Sequence, residues 1–435
     1  MKIRDVIVVG AGAAGLSAAE ALSRAGASVL VLEGRSRAGG RILTRRVRGW
    51  PLPVELGAEF VHGRAEEVFE IAREGGLLID RLPDARVQST ASGWKRVHDL
   101  WTQYEAVTRK MRSGGRDRSI ADFLRSRRGM SPAQKRLLTS MVEGYHAARL
   151  ERVSEHWLST AGDPPESPDE RAQFRMVSGY DGVTKWLLSR IDPKLGRIRF
   201  STPVRRIRWR RGSVTVGTEG SGELRARRVV VTVPAAVLRA GAGATAGIAF
   251  DPDPPSHRRA LGKIEAGHVV RMVLRFREGL WEDTAAARAA GASGLSFLLR
   301  SDSPFNTWWT AAPAEVPMIT AWAGGPAAES LQRLPRRQVL ARALETLAST
   351  LELSAARVRR SLVGWHAHDW SADPFSREAY SYAAVGGASA ADALARPALG
   401  TLFLAGEATE REQSGTVPGA IASGRRAARQ VMKGL

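Results

Sequence analysis

The chain has 435 residues, 43% of them hydrophobic and 25% charged, with a formal net charge of +21 and no cysteine. That length asks for about three domains of ~150 residues, or two with long insertions, and the composition is that of an ordinary globular protein. The missing cysteines exclude disulfides, thiolate metal sites and any cysteinyl link to a prosthetic group, and no apolar run reaches the ~18 residues of a membrane span.

Residues 3–9 form an apolar strand at the start of the chain and not the basic and apolar regions of a cleavable leader, so the cytoplasm is the expected compartment. Gly10, Gly12 and Gly15 follow as G-x-G-x-x-G, with a helix expected over 13–24 and a second strand over 28–32. The first glycine permits a tight turn, the second lets a diphosphate approach the backbone, and the third lets helix and strand pack closely. The helix N-terminus adds unpaired N–H groups and partial positive charge. Glu33 comes 18 residues after Gly15, where an acid meets the ribose hydroxyls of a dinucleotide. It disfavours the 2′-phosphate of NADP and leaves NAD and FAD open. The run GRSRAGGRILT chooses FAD: Arg35 is placed near the adenine, and the Gly39-Gly40-Arg41 turn brings a guanidinium back to the diphosphate.

From 64 to about 190 the pattern is mostly helical, as in AEEVFEIAREGGLL and SIADFLRS, with a loop expected at AGDPPESPDER, 161–171. Short strands dominate 197–234. There the arginine-rich run 204–212 reads as a solvated hairpin and not as a nucleic-acid face. Only eight of the 65 basic residues are lysine, so the excess charge is arginine spread along the chain, and no specific nucleic acid is expected. Residues 268–276 form a further strand, and 400–405 a last one leading into GEATEREQSGTVPGAIASG, a second glycine-lined entrance to a helix. Interleaved α and β elements behind a strand–glycine–helix start predict an α/β dinucleotide fold carrying a second domain. His366-x-His368 has no third ligand in sequence, and no metal is expected.

Seven blocks in order, GAGAAGL with VLEGRSRAGGRI, ELGAEFVHG, MVEGYHAA, TPVRRI, VVVTVP, HDWSADPFSREAYSY and the closing LFLAGEATEREQSGTVPGAIASGRRAA, resemble the flavin-containing amine oxidase family of monoamine and polyamine oxidases over essentially the whole chain. The resemblance implies a Rossmann-like FAD-binding domain (1–75, 190–268 and 396–435) interleaved with an α+β substrate-binding domain (76–189 and 269–395). It implies an amine substrate, hydride transfer from the carbon alpha to nitrogen onto flavin N5, hydrolysis of the imine, and reoxidation by dioxygen to give hydrogen peroxide. A homodimer is an allowed assembly. Ala379 stands where monoamine oxidases carry their flavin-linked cysteine, so the FAD is expected to be non-covalent.

By the same resemblance the cofactor lies against Gly10, Gly12, Ala14, Gly15, Glu33, Arg35, Gly40, Arg41, Gly57, Ala58, Glu59, Phe60, Val204, Gly406, Glu407, Gly415, Thr416 and Val417. The second helix entrance would meet the ring end, where a helix N-terminus favours the charge left by reduction. Tyr380 and Trp370 match aromatics beside substrate and flavin, Thr416 replaces the second tyrosine of the monoamine oxidase cage, and His62 is expected to contact substrate. Glu59 could offer its carboxylate to a cationic substrate. Arg271 stands where the family usually has a lysine that holds a water near N5; an arginine there could hold that water, pair with a substrate carboxylate, or slow the reaction with dioxygen. The alternatives are a flavin-dependent desaturase or oxidase of an isoprenoid, porphyrin or amino acid, a poorly oxygen-reactive amine dehydrogenase, and a flavoprotein used mainly for binding. The histone-demethylase branch is not expected, since the chain has room for neither its helical-hairpin insertion nor its N-terminal domain.

Overall fold

Residues 3–90, 93–160, 172–220, 222–291 and 294–435 are described by a computed structural model; the loop expected at 161–171 lies outside them. Strand β1 (Arg4–Val9) runs through the glycine turn into helix α1 (Ala13–Arg24) and on to β2 (Val29–Leu32). β1 and β2 pair in parallel with Val8 beside Val31, and β1 pairs on its other side with Gly222–Val231, Val8 beside Val230. Val6, Val8, Val29, Val31 and Val230 are fully buried, as expected of central parallel strands covered on both faces.

Eight strands form this first sheet, in the order Gly196–Arg199, β2, β1, Gly222–Val231, Ser213–Thr218, Val204–Arg210 and Ala249–Asp251, with Leu402–Leu404 also pairing to Gly222–Val231. Its strands come from the start, the middle and the end of the chain. The arginine-rich hairpin expected at 204–212 is present: Val204–Arg210 and Ser213–Thr218 pair antiparallel, with alternating burial. Strand Leu402–Leu404 delivers the chain to the second glycine loop and to helix α2 (Val417–Met432), which packs on α1.

A second sheet of seven strands runs Leu362–His366, Val269–Phe276, Met318–Gly324, Thr307–Thr310, Phe297–Leu299, Arg86–Thr90 and Gly93–Arg96. A third, small one orders Phe60–His62, Gln173–Met176 and Ile79–Arg81. The stretch 64–190 is therefore less helical than its sequence suggests. Helices Glu66–Gly75 and Ile120–Ser126 are there, the latter capped by Ser119, but four short strands lie between 79 and 176. Arg86–Thr90 and Gly93–Arg96 pair with each other as a local hairpin, but Ile79–Arg81, Gln173–Met176 and the outer edge of Arg86–Thr90 find their partners far off in sequence, where no local periodicity announces them.

Candidate active site

One continuous cavity of about 1350 Å³ runs from the first glycine turn to the second sheet. This exceeds the ~300–1,000 Å³ of a single small-ligand site. At one end, Gly10 has φ +103°, and a Cβ on Gly15 would sit 2.0 Å from the Gly10 carbonyl oxygen. Gly15 is a packing residue: of all the expected site residues it alone is absent from the cavity wall, while Gly10, Gly12 and Ala14 line it. Gly12 caps α1 without a side chain, leaving the helix N-terminus open to the cavity. The Gly39-Gly40 turn is stitched against it, with the Gly39 N–H donating to the Ala11 carbonyl at 2.8 Å and φ of +97° and +57° at the two glycines.

Glu33 is buried at the end of β2, its two oxygens accepting from the Ala11 N–H at 2.7 Å and the Arg35 N–H at 2.8 Å. Arg35 lies over the Phe375 ring and donates to Asp373 at 2.8 Å and Ser376 at 3.0 Å. Arg41 donates to the Ala379 carbonyl at 3.0 Å and to Glu407 at 3.2 Å, with Glu378 at 3.6 Å. Glu378 is fully buried, and burial pushes its carboxyl well above the usual range while Arg41 opposes the shift. Gly57 has no room for a side chain, since a Cβ would lie 1.8 Å from the Arg41 carbonyl oxygen. Ala58 and Val204 complete this part of the wall.

The second glycine entrance opens onto the same cavity. Gly406 and Gly415 have φ of +135° and +75°, conformations that favour glycine. Thr416 caps α2, its hydroxyl accepting from the Gly419 N–H at 3.1 Å, with Pro418 in the first turn where a missing N–H does no harm. Gly406, Glu407, Gly415, Thr416 and Val417 all line the cavity. α2 reaches this place by close packing on α1. A Cβ on Gly424 would lie 2.2 Å from the Ala14 carbonyl oxygen, and the Ser17 hydroxyl donates to the Ile421 carbonyl at 3.1 Å.

Beyond α2 the walls become aromatic. Trp370 is buried and donates its indole N–H to the Leu56 carbonyl at 2.8 Å; Tyr380 donates its hydroxyl to the Tyr145 carbonyl at 2.6 Å. Trp309 and Trp322 stand at 5.6 Å, and Phe60 meets Trp309 at 5.3 Å and Phe297 at 5.8 Å. Tyr145 is delivered by a π-helical turn, Met141–Tyr145, inserted at the end of helix Pro132–Ser140. Such turns often mark functional sites. His146, next in sequence, takes the Tyr104 hydroxyl at 3.0 Å, and burial pushes its pKa down to about 4.

His62 is not at a turn, as its sequence context suggests, but ends the strand Phe60–His62, opposite Gln173. Dense surroundings and then Arg86 push its pKa down to about 4, although part of the ring faces the open cavity. It is neutral near pH 7, bonded to the Gln173 amide at 3.3 Å and edge-on to Tyr145 at 5.6 Å.

Arg271 and Glu59 both line the cavity, but they are paired with each other. Arg271 also donates to the Gly57 carbonyl at 2.5 Å and lies over the Trp309 ring. Glu59 further forms an ion pair with Arg175 at 2.9 Å and accepts from the Trp309 indole at 3.0 Å. The carboxylate expected to meet a cationic substrate is thus already shared by two guanidinium groups, because strands Gln173–Met176 and Val269–Phe276 bring Arg175 and Arg271 to it. Sequence reasoning did not single out Arg86, Gln173, Tyr145, His146, Trp309 or Trp322, which all line the cavity. MVEGYHAA and the aromatic run NTWWT were the available signals. His366 packs on Trp50 and His368 bonds Asp373, and among the described residues no cluster suited to a metal ion occurs.

A long cofactor with a diphosphate and a redox-active ring fits the two glycine-lined helix N-termini at separate places on one wall. Residues 13–432 match the model of the flavin containing amine oxidoreductase family. The chain is 29% identical to polyamine oxidase 1 of Oryza sativa subsp. japonica, over 98% of this chain and 97% of that protein. It is 27% identical to human lysine-specific histone demethylase 2 over 98% of its own length, and spans about half, 53%, of that protein. In fold it is similar to a putrescine oxidase bound to putrescine (TM-score 0.82, 20% identity, 99% of both chains) and to cyclohexylamine oxidase from Brevibacterium oxydans IH-35A (TM-score 0.81, 21% identity, 99% of both chains).

Proposed function

Because this chain belongs to the flavin containing amine oxidoreductase family, an oxidoreductase family acting on CH–NH or CH–NH2 groups, we propose that it is an oxidase of a small amine, with FAD held non-covalently. The observation that carries the proposal is the single cavity joining two glycine-lined helix entrances to an aromatic chamber. FAD, when bound, supplies the acceptor for the hydride leaving the carbon alpha to nitrogen, and dioxygen, as final oxidant, leaves as hydrogen peroxide. The imine left on the substrate takes up water and separates into a carbonyl compound and ammonia or a smaller amine.

The chain's own residues bind and orient. Gly10, Gly12, Ala14 and the open N-terminus of α1 receive the diphosphate, with Arg41 and the Gly39-Gly40 turn closing over it and Glu33 taking the ribose hydroxyls. Gly406, Glu407 and the N-terminus of α2 meet the ring end, where the helix dipole favours negative charge by about 0.3–1 kcal/mol, or up to ~2 when partly buried. The Thr416 hydroxyl is spent on its cap, so Tyr380 and Trp370 form the aromatic wall on this side. The walls exclude water and hold the reacting C–H bond in one orientation. Neutral His62 offers a hydrogen bond and no charge. The first sheet with α1 and α2 constitutes the cofactor domain, and the second sheet the substrate domain.

Ala379 lines the cavity where a covalent link would need a thiol. FAD should therefore be released by acid or denaturant without proteolysis. The deciding experiment is an anaerobic spectral screen of the purified yellow protein against a panel of amines. Fading of the oxidised-flavin bands with at least one amine, followed by peroxide on admitting air, is the expected result. A protein that takes up no FAD, or whose bands no amine fades, is not the enzyme proposed.

A further inference from the structure

In the wall of the cavity arginines outnumber carboxylates, though Asp373, Glu378, Asp302 and Asp392, outside the lining, pair with Arg35, Arg41, Arg300 and Arg411. Among the described residues, eight arginines and four glutamates line it, with no lysine and no aspartate. Glu33 and Glu407 belong to the cofactor turns and are engaged there by the Ala11 and Arg35 backbone, Arg41 and Ser381. Glu412 is exposed on the loop before α2, beside Arg411. The aromatic end is left with Glu59, and that carboxylate is shared between Arg271 and Arg175, both buried. Buried Glu55 also faces Arg271, its carboxyl pushed up to about 7 by burial, so two cations stand against one full and one partial negative charge, and this wall keeps a smaller positive balance.

Arg86 adds to the excess. It is 8% exposed, stands across the strand pair from Phe297, and holds its guanidinium over that ring at 5.2 Å. Its carboxylate partner, Asp84 at 3.2 Å, has a side chain 67% exposed, so water and salt weaken that pair. Gln173 accepts from the other arm of the fork at 3.3 Å, and the five donors of a guanidinium leave room for a further acceptor.

A wall of contacts joins Arg86 to the reacting end. Gln173 bonds His62, His62 lies against Tyr145, and the Tyr145 carbonyl takes the Tyr380 hydroxyl. Several side chains thus separate the aromatic that faces the amine from the cation at the far end. A diamine laid along this wall would bring its second ammonium to a guanidinium and find no uncommitted carboxylate. An amine ending in a carboxylate would meet a planar fork that binds it with two parallel hydrogen bonds.

We infer that the preferred substrate is an amine carrying a carboxylate remote from the reacting carbon, an ω-amino acid, and that Arg86 receives the carboxylate. This rests on the amine-oxidase reading above. Arg86 acts by selecting substrate and takes no part in the bond changes.

The test uses the FAD-loaded full chain and compounds of matched length: an ω-amino acid, its amide, the corresponding diamine, an α-amino acid and a neutral monoamine. The expected result is anaerobic flavin reduction at least ten-fold more efficient, as kcat/KM, for the ω-amino acid than for its amide or the diamine. Titration calorimetry with an amine-free monocarboxylate should show saturable binding that its amide lacks. Arg86→Gln should raise KM for the ω-amino acid at least ten-fold and bring the acid-to-amide ratio close to one, and Arg86→Lys should recover part of it. Preference for the diamine or the α-amino acid, equal efficiency for acid and amide, or no monocarboxylate binding overturns the inference even if Arg86→Gln does not fold. If diamines or monoamines bleach the flavin and ω-amino acids do not, the amine-oxidase reading survives and this inference alone fails. If no compound bleaches it, both fall.

Discussion

Glu59 is held between Arg271 and Arg175, with the Trp309 indole as a third donor, and all three charged side chains are at most 10% exposed. Removing one partner of a buried ion pair costs about 3–5 kcal/mol, because the remaining charge has lost both water and its counter-ion. Glu59→Gln should therefore lower the unfolding free energy by about that amount in urea denaturation. A loss below about 1 kcal/mol would mean that the carbonyls of Gly57, Thr310 and Ala312, which also accept from these arginines, satisfy them alone. His146 offers a test with pH. Its folded pKa of about 4 lies below the ordinary 6.5, so between those values the unfolded chain takes up a proton that the folded chain does not. Stability from this residue is complete above pH 6.5 and is lost as pH falls toward 4. A full proton difference is worth about 1.4 kcal/mol per pH unit. His146→Gln should flatten the fall of stability across this window by up to that slope, and an unchanged slope would show that the imidazole charges freely in the folded state.

The two glycine entrances serve one cavity because their helices touch. Gly424 packs on the Ala14 backbone with no space for a methyl group, and overpacking of this kind costs about 1–3 kcal/mol. Gly424→Ala should lower stability by that amount and also weaken FAD binding, read by calorimetry, since parting the helices moves both N-termini. Full FAD affinity at reduced stability would show that the turns adjust independently of the helix contact. The opening strand, turn and helix were readable because their requirements are local: three glycines, an apolar strand on each side and an acid at the right distance. Helix 13–24 is found as expected, and β1 and β2 are each within one residue of where the pattern puts them at their starts. The aromatic chamber was less legible. Arg86, Gln173 and His62 come together through strand pairings between residues far apart in sequence, Phe297 with Arg86 and His62 with Gln173. No local period records such pairings. Tyr145 and His146 lie in MVEGYHAA, but a π-helical turn has no composition of its own, and the direction in which it points them comes from the fold.

Across the whole molecule, the first and last parts of the chain are brought together by contacts such as Ser17 with Ile421, 404 residues apart. A ligand that touches both ends binds only the folded state, so it stabilises by mass action, about 2.7 kcal/mol at a hundred-fold excess over its dissociation constant. FAD and ADP should differ in how they do this. Both carry the adenosine and diphosphate for the first turn, while FAD alone has a ring for the second. Gly415 sits in that second turn at φ +75°, and a Cβ there would be strained and would stand 3.6 Å from the Tyr380 ring. Gly415→Ala should then reduce the rise in melting temperature given by FAD and leave the smaller rise given by ADP as it was. The arithmetic makes the comparison sensitive, since each ten-fold loss of affinity removes about 1.4 kcal/mol from the FAD effect. Equal losses for the two ligands would mean that the substitution disturbs the fold and not the ring site. No loss for either would place the ring away from α2, and with it the reacting carbon away from Tyr380.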